Sequence, residues 1–282
     1  MPELAEVEHT RRKWDVGIGQ PVREVVIHKP AARVFRKIDP AHLQSRLKNQ
    51  PLVSSEAKGK QMIFRFGKKA DRCLGIHLGM EGLLRVEPPD FAPAKHDYLL
   101  LRQAAQSLVF SDHRLFGLIL YFEGAAADRW WDALPPAVTS DEFTLAALTT
   151  FVQRRKGTAL KPLLLMQERF PGVGNWMADE ILWRAGLHPE TRAGKLAPPA
   201  TERLWKMTRE VCERAIEEMA EDWSYPDTWL FPHRWEDGGA CPQCGSDLER
   251  KIIGGRRTCW CPHCQPAPTR LTPSPKNARQ AA

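Results

Sequence analysis

The residues best equipped for chemistry lie near the two ends of the chain. Pro2 follows the initiator methionine and precedes Glu3 and Glu6. Removal of Met1 before so small a residue would leave a secondary amine. A free α-amine titrates at about 7.7 to 8.0, so an appreciable fraction is nucleophilic near neutral pH. Glu3 and Glu6, three residues apart, share one helical face beside that amine, while Leu4, Val7, Arg11 and Trp14 fall near another. Towards the other end, Cys241-Pro-Gln-Cys244 and Cys261-Pro-His-Cys264 are separated by sixteen residues. That is the spacing of two thiolate knuckles around one tetrahedral zinc. Four protein thiolates leave no open coordination position, so the expected single Zn2+ is structural. Cys259 is the spare thiol, too close to Cys261 to complete a second knuckle.

Between the knuckles, Lys251-Ile-Ile-Gly-Gly-Arg-Arg-Thr258 places two arginines after a glycine turn. A hairpin presenting guanidinium groups suits bidentate phosphate contact. A second glycine turn, within Gln167-Glu-Arg-Phe-Pro-Gly-Val-Gly-Asn175, joins two helical patterns, with Asn175 placed to cap the second. Free amides at that helix start would make a phosphate seat.

These groups need elements to hold them. Short β-rich runs recur at Val25 to His28, Met62 to Phe66, Leu74 to Leu78, Tyr98 to Leu101 and Leu118 to Phe122. Separated by Gly, Pro and Lys turns, they read as an antiparallel sandwich or barrel. Beyond a linker with Pro135 and Pro136, helical patterns are expected at Thr144 to Val152, Leu160 to Arg169, Asn175 to Ala185 and Thr201 to Met219. The fold class expected is therefore α+β and multidomain: an N-terminal helix and antiparallel β-sandwich over residues 2–132, a linker at 133–143 and a helical domain at 144–236. A zinc-ribbon hairpin at 237–265 and a disordered tail at 266–282, rich in Pro, Ala and Ser, follow.

The formal charge of +7, spread along 282 residues, favours a polyanionic partner. Neither a bilayer-length apolar run nor a signal-peptide pattern is seen, since the N-terminus carries Glu3, Glu6 and Glu8. A soluble, cytoplasmic monomer with no membrane partner is expected. Two isolated cysteines, Cys73 and Cys212, and five crowded between 241 and 264 point to a metal in a reducing compartment, not to disulfides.

Taken in order, Pro2-Glu-Leu-Ala-Glu-Val-Glu8, Lys58-Gly-Lys60, His77-Leu-Gly-Met80, Lys95-His-Asp97, Asp112-His-Arg-Leu-Phe-Gly117, the Gly172 to Asn175 turn and the terminal knuckles resemble the formamidopyrimidine-DNA glycosylase family. The resemblance covers roughly residues 2 to 265. It implies a helix-two-turns-helix DNA-binding unit in the helical domain and damaged double-stranded DNA as partner. It also implies covalent amine catalysis, in which Pro2 displaces the damaged base, forms a Schiff base, and cuts the strand by β- and δ-elimination. By the same resemblance Glu3 is the acid that opens the sugar ring, Glu6 organises the site, and Lys60 and Arg256 assist elimination and hold phosphate. Lys60 is preferred to Lys58, and Arg256 to Arg257, by position in the family pattern. An acid must be protonated to donate, so a raised pKa is expected for Glu3.

His96, Arg114, Lys156 and Asn175 take positions of backbone or strand contacts. Met80, Arg114 and Phe116 match the trio that fills the void left by an extruded nucleotide. That trio favours the branch acting on oxidised purines, such as 8-oxoguanine and ring-opened purines. The chain departs from the pattern at Ala5, His113 and Leu115, and in the short stretch between Met219 and Cys241, where relatives carry a loop over the flipped base. These departures bear on lesion choice more than on chemistry. The alternatives are an endonuclease VIII-like enzyme for oxidised pyrimidines and a catalytically silent damaged-DNA-binding protein.

Overall fold

A computed structural model describes residues 1–219, 222–235 and 238–268. The N-terminal region holds two four-stranded sheets in which every pairing is antiparallel. Strands β1 (Glu24–Ile27), β5 (Leu83–Glu87), β6 (Asp97–Arg102) and β7 (Ser107–Ser111) form one, in the order β1-β6-β7-β5. Strands β2 (Leu52–Lys58), β3 (Gln61–Phe66), β4 (Arg72–His77) and β8 (Leu118–Glu123) form the other, in sequence order. Alternate residues of β3, Met62, Phe64 and Phe66, enter the core between the sheets and meet Trp14, Leu99, Leu101 and Phe110. On the outer face, Ile63 and Cys73 are covered by α3 (Ala125–Asp132) through Ala127 and Trp131. Trp131 thus lies in the last turn of a helix that shields a sheet, a helix the sequence reading did not expect. A further helix, α2 (Pro40–Leu47), packs Leu43 and Leu47 into the core between the sheets.

The second core is helical, built by α4 (Leu145–Arg154), α5 (Leu160–Leu164), α6 (Asn175–Arg184) and α7 (Pro198–Glu218). Thr144, expected as the first helical residue, is the cap of α4 and accepts the Ala147 N–H. Helix α7 begins before Thr201 because Pro198 and Pro199 occupy the first turn, where a missing N–H costs little. Helix α5 stops at Leu164, short of the expected Arg169. The Gln167 side chain claims the backbone instead, donating to the Val173 carbonyl at 2.8 Å and accepting the Gly172 N–H at 3.0 Å. Residues 165–174 thus form the two turns before α6.

Helix α1 (Leu4–Arg12) belongs to both halves. Leu4 and Ala5 pack in the helical core, and Val7 packs between the sheets. Strands β9 (Glu249–Ile253) and β10 (Arg256–Trp260) form the terminal hairpin. Its two-residue turn, Gly254-Gly255, has φ of +58° and +76°, a conformation open to glycine at little cost. Among the described residues no helix is long and apolar enough to cross a membrane. Of the expected tail, residues 269–282 lie outside the described residues.

Candidate active site

A cleft of about 850 Å3 brings together Pro2, Glu3 and Glu6 at the start of the chain, Lys60 between β2 and β3, and Arg256 at the start of β10. Met80 and Asn175 also line it. Each residue is aimed by a local device.

Glu3 is 4% exposed, and its carboxylate is held by the second half of the molecule. It accepts backbone N–H groups from Gly174 at 3.0 Å, Trp176 at 3.0 Å and Met177 at 3.1 Å, the amides that start α6. Glycine is needed at 174 for steric reasons, because a Cβ there would lie 2.2 Å from the Glu3 Cδ. The amides expected to seat a phosphate are thus occupied by an internal anion, which meets the same attraction to a helix N-terminus. Asn175 does not cap α6 either. Gly174 is the N-cap, and the Asn175 side-chain amide donates to the Arg257 carbonyl at 2.8 Å, tying the hairpin to α6.

Burial pushes the Glu3 carboxyl up to about 7, and the neighbouring Glu6 adds to the rise. Lys60 and the α6 amides oppose it. Near neutrality the group is therefore shared between proton donor and carboxylate, in the direction expected of an acid catalyst. Glu6 is raised too, chiefly by burial. It accepts the Glu3 N–H at 3.1 Å and the Trp176 indole N–H at 2.8 Å, which fixes the backbone next to Pro2.

The structure separates the two lysines. Lys60 follows Gly59 in a two-residue hairpin turn between the paired Lys58 and Gln61, and Gly59 has φ +61°. A Cβ on Gly59 would touch Pro171 at 2.9 Å, so the hairpin tip lies against the two-turn loop. Burial lowers the Lys60 pKa and Arg256 adds to this, against the pull of Glu3 and Glu6. Lys58 instead donates to the Trp131 carbonyl at 3.0 Å and sits over the Trp131 ring. It does not line the cleft, nor does Arg257.

Met80, Arg114 and Phe116 come together on two adjoining loops. Gly79 is essential to that approach, since a Cβ there would fall 2.4 Å from the Phe116 backbone. The Asp112 carboxylate shapes the second loop by accepting the N–H groups of Arg114 and Gly117. Arg114 lies over the Phe116 ring at 5.2 Å and pairs with Glu81 at 3.4 Å. Met80 and Phe116 are 39% and 43% exposed, an apolar edge beside the cleft. His96 stacks on His113 with ring centroids 4.3 Å apart, joining the same loop. Arg114, Phe116, His96 and Lys156 do not line the cleft, and Lys156 stands apart on the turn after α4, where its carbonyl accepts the Gly194 N–H.

Several lining residues escaped sequence reasoning. His77 accepts the Gly79 N–H through Nδ1 at 3.0 Å, and burial with Lys60 and Arg36 nearby lowers its pKa. Trp176, Arg234 and Trp235 also line the cleft. Arg234 donates to Asp179 at 2.6 Å, as does Lys161, and the Cys259 N–H reaches the same carboxylate at 3.2 Å. This buried junction locks α5, α6 and β10 together. An acid in the middle of the apolar α6 pattern was the available signal.

The Sγ atoms of Cys241, Cys244, Cys261 and Cys264 lie within 4.8 Å of one another, so the four can hold a metal ion. The separations of 3.9 Å for Cys241–Cys264 and 3.5 Å for Cys244–Cys261 bracket the roughly 3.8 Å edge of a tetrahedral thiolate site with about 2.3 Å bonds. The Trp183 indole N–H and the Cys264 amide point at sulfur, as suits thiolates. Cys259 is outside the cluster.

The geometry defines a helix-two-turns-helix protein with a cleft where its β-sandwich, helical unit and cysteine hairpin converge. The model of the formamidopyrimidine-DNA glycosylase N-terminal domain matches residues 1–119, and that of the formamidopyrimidine-DNA glycosylase H2TH domain matches residues 134–225. A formamidopyrimidine-DNA glycosylase of Xanthomonas axonopodis pv. citri is 34% identical over 277 residues, spanning 94% of this chain and 100% of the relative. One of Bordetella avium is 34% identical over 279 residues, spanning 94% and 99%. Among solved structures, the wild-type Lactococcus lactis Fpg in complex with DNA containing an oxidised pyrimidine superposes with a TM-score of 0.83 at 27% identity, covering 94% of this chain and 100% of that one. The same protein with abasic-site DNA gives 0.82. The chain belongs to the formamidopyrimidine-DNA glycosylase family.

Proposed function

We propose that this protein is a bifunctional DNA glycosylase and abasic-site lyase of base excision repair, with Pro2 as nucleophile and oxidised purines as its principal substrates. The observation that carries the reading is the convergence of Pro2, Glu3, Lys60 and Arg256, from three distant segments, on one cleft. Its work on DNA fits a cytoplasmic protein, associated with the nucleoid in a bacterial cell.

With Met1 removed, the Pro2 amine attacks C1′ of the damaged nucleotide. The N-glycosidic bond breaks and the base leaves with a proton. Glu3 in its acid form protonates the ring oxygen O4′, the sugar opens, and the nitrogen lone pair completes an iminium at C1′. Loss of a C2′ proton then expels the 3′-phosphate, and loss of a C4′ proton expels the 5′-phosphate. Lys60 and Arg256 are the cations placed to hold the phosphates and their developing charge. Met80, Arg114 and Phe116 fill the stack behind the extruded nucleotide, while His96, Lys156 and Asn175 contact the DNA strands. Cys241, Cys244, Cys261 and Cys264 would hold one structural Zn2+, which would fix the hairpin that carries Arg256.

Borohydride reduction during incubation with abasic-site duplex tests the reading. A covalent adduct mapped by mass spectrometry to residue 2 is expected, and folded, DNA-bound protein that yields none would overturn it in favour of silent damage binding.

A further inference from the structure

The stretch between α7 and the first cysteine knuckle is one of the places where this chain departs from the pattern it otherwise follows. Its described part is firmly anchored. Trp223, Phe231, Arg234 and Trp235 line the same cleft as Pro2 and Glu3. One buried acid of α6 holds the segment directly: Asp179 accepts from Arg234 at 2.6 Å. Its buried neighbour Glu180 faces the Leu230 and Phe231 backbone and accepts from Arg184 at 2.8 Å. On that frame the Arg234 guanidinium covers one face of the Trp235 ring, 4.5 Å from its centroid. The Phe231 ring stands at 83° to Trp235 with centroids 5.3 Å apart. Trp235 is nevertheless 53% exposed. A large ring held from two sides, and open on the rest of its surface at the edge of a cleft of ligand size, is suited to stack on another flat ring.

We propose that Trp235 is the platform on which the extruded base stacks, with Arg234 as its positioning residue. This rests on the glycosylase reading above and sharpens its substrate class. Stacking responds to a π-face and not to a pattern of donors and acceptors. A planar oxidised base such as 8-oxoguanine can lie flat on the indole, whereas thymine glycol, saturated at C5 and C6, is puckered and cannot. The platform therefore favours planar oxidised bases over ring-saturated ones.

The test compares the full-length Trp235→Ala and Trp235→Phe variants with the parent protein on three duplexes, carrying 8-oxoguanine, thymine glycol or a preformed abasic site. For Trp235→Ala, release of 8-oxoguanine should fall about five- to hundredfold, the range that loss of one aromatic stack implies. Cleavage at the abasic site, which has no base to stack, should stay within about twofold, thymine glycol release should fall far less than 8-oxoguanine release, and Trp235→Phe should recover most of the loss. Should the alanine variant fail to fold, Trp235→Leu, which keeps apolar bulk without a ring, carries the same expectation. An unchanged 8-oxoguanine rate, an equal loss at the abasic site, or an equal loss on thymine glycol would each overturn the proposal. Parent protein that neither releases base nor cleaves the abasic duplex would instead remove the glycosylase reading itself.

Discussion

The two walls of the cleft are held in place by opposite means. On the reactive side, close steric fit does the work: Gly174 admits the Glu3 carboxylate, Gly59 lets the Lys60 hairpin touch the two-turn loop, and Gly79 lets two loop backbones meet. On the other side, buried charge does it: Asp179 holds a segment of bulky aromatic residues through Arg234. The first wall positions the groups proposed to react and tolerates almost no change in shape. The second presents surface, and any flat group can meet it.

That contrast can be broken in four ways. Glu3→Gln keeps the size of the side chain but removes the acid, so base release should fall by about two to four orders of magnitude, the range for a positioned general acid. DNA binding should persist, and single-turnover assays on an oxidised-purine duplex would show whether it does. Asp179→Asn leaves Lys161 and Arg234 buried without their shared carboxylate. Loss of one partner from such a pair costs about 3 to 5 kcal/mol, readable as a shifted urea midpoint. If stability is unchanged, buried charge does not hold the second wall.

The third concerns pH. With Glu3 pushed up to about 7, the proton-donor population falls about tenfold per pH unit above that value. The Pro2 amine gains reactivity in the opposite direction, so kcat/KM for base release should be bell-shaped, and Glu3→Gln should lose the alkaline limb. The same shift makes the folded state bind more protons than the unfolded chain between 4.5 and about 7, as does that of Glu180. Their contribution to stability is complete below 4.5 and is lost as pH rises through 7. Lastly, Lys58→Ala should change base release by less than about 1 kcal/mol, since Lys58 turns away from the cleft to Trp131 of α3. A large loss there would undo the choice of Lys60.

Much of this was legible in the chain because the signals are local. The knuckle spacing, the glycine turns and the apolar period of α4, α6 and α7 all lie within a few residues of what they specify. Strands β2 and β5 were missed because they are sheet edges, where Ser54, Ser55, Glu56, Arg85 and Glu87 interrupt the apolar run. Strand β7, although buried, is only five residues long. The phosphate seat was misread because the anion that fills it lies some 171 residues away in sequence. The aromatic wall gave only one sign, the acid Asp179 in the apolar α6 pattern, because the Arg234 it holds lies 55 residues further along the chain.

Helix α1 places Leu4 and Ala5 in one core and Val7 in the other, while Glu3 takes its hydrogen bonds from across the boundary. The acid is therefore a property of a joint. An excised β-sandwich would keep the Pro2 amine and the Lys60 hairpin yet leave Glu3 among water molecules, with an ordinary carboxylate's acidity and no proton to give at neutral pH. Dissecting this enzyme into its modules would yield pieces that are chemically inert, because the reagent is made only where they meet.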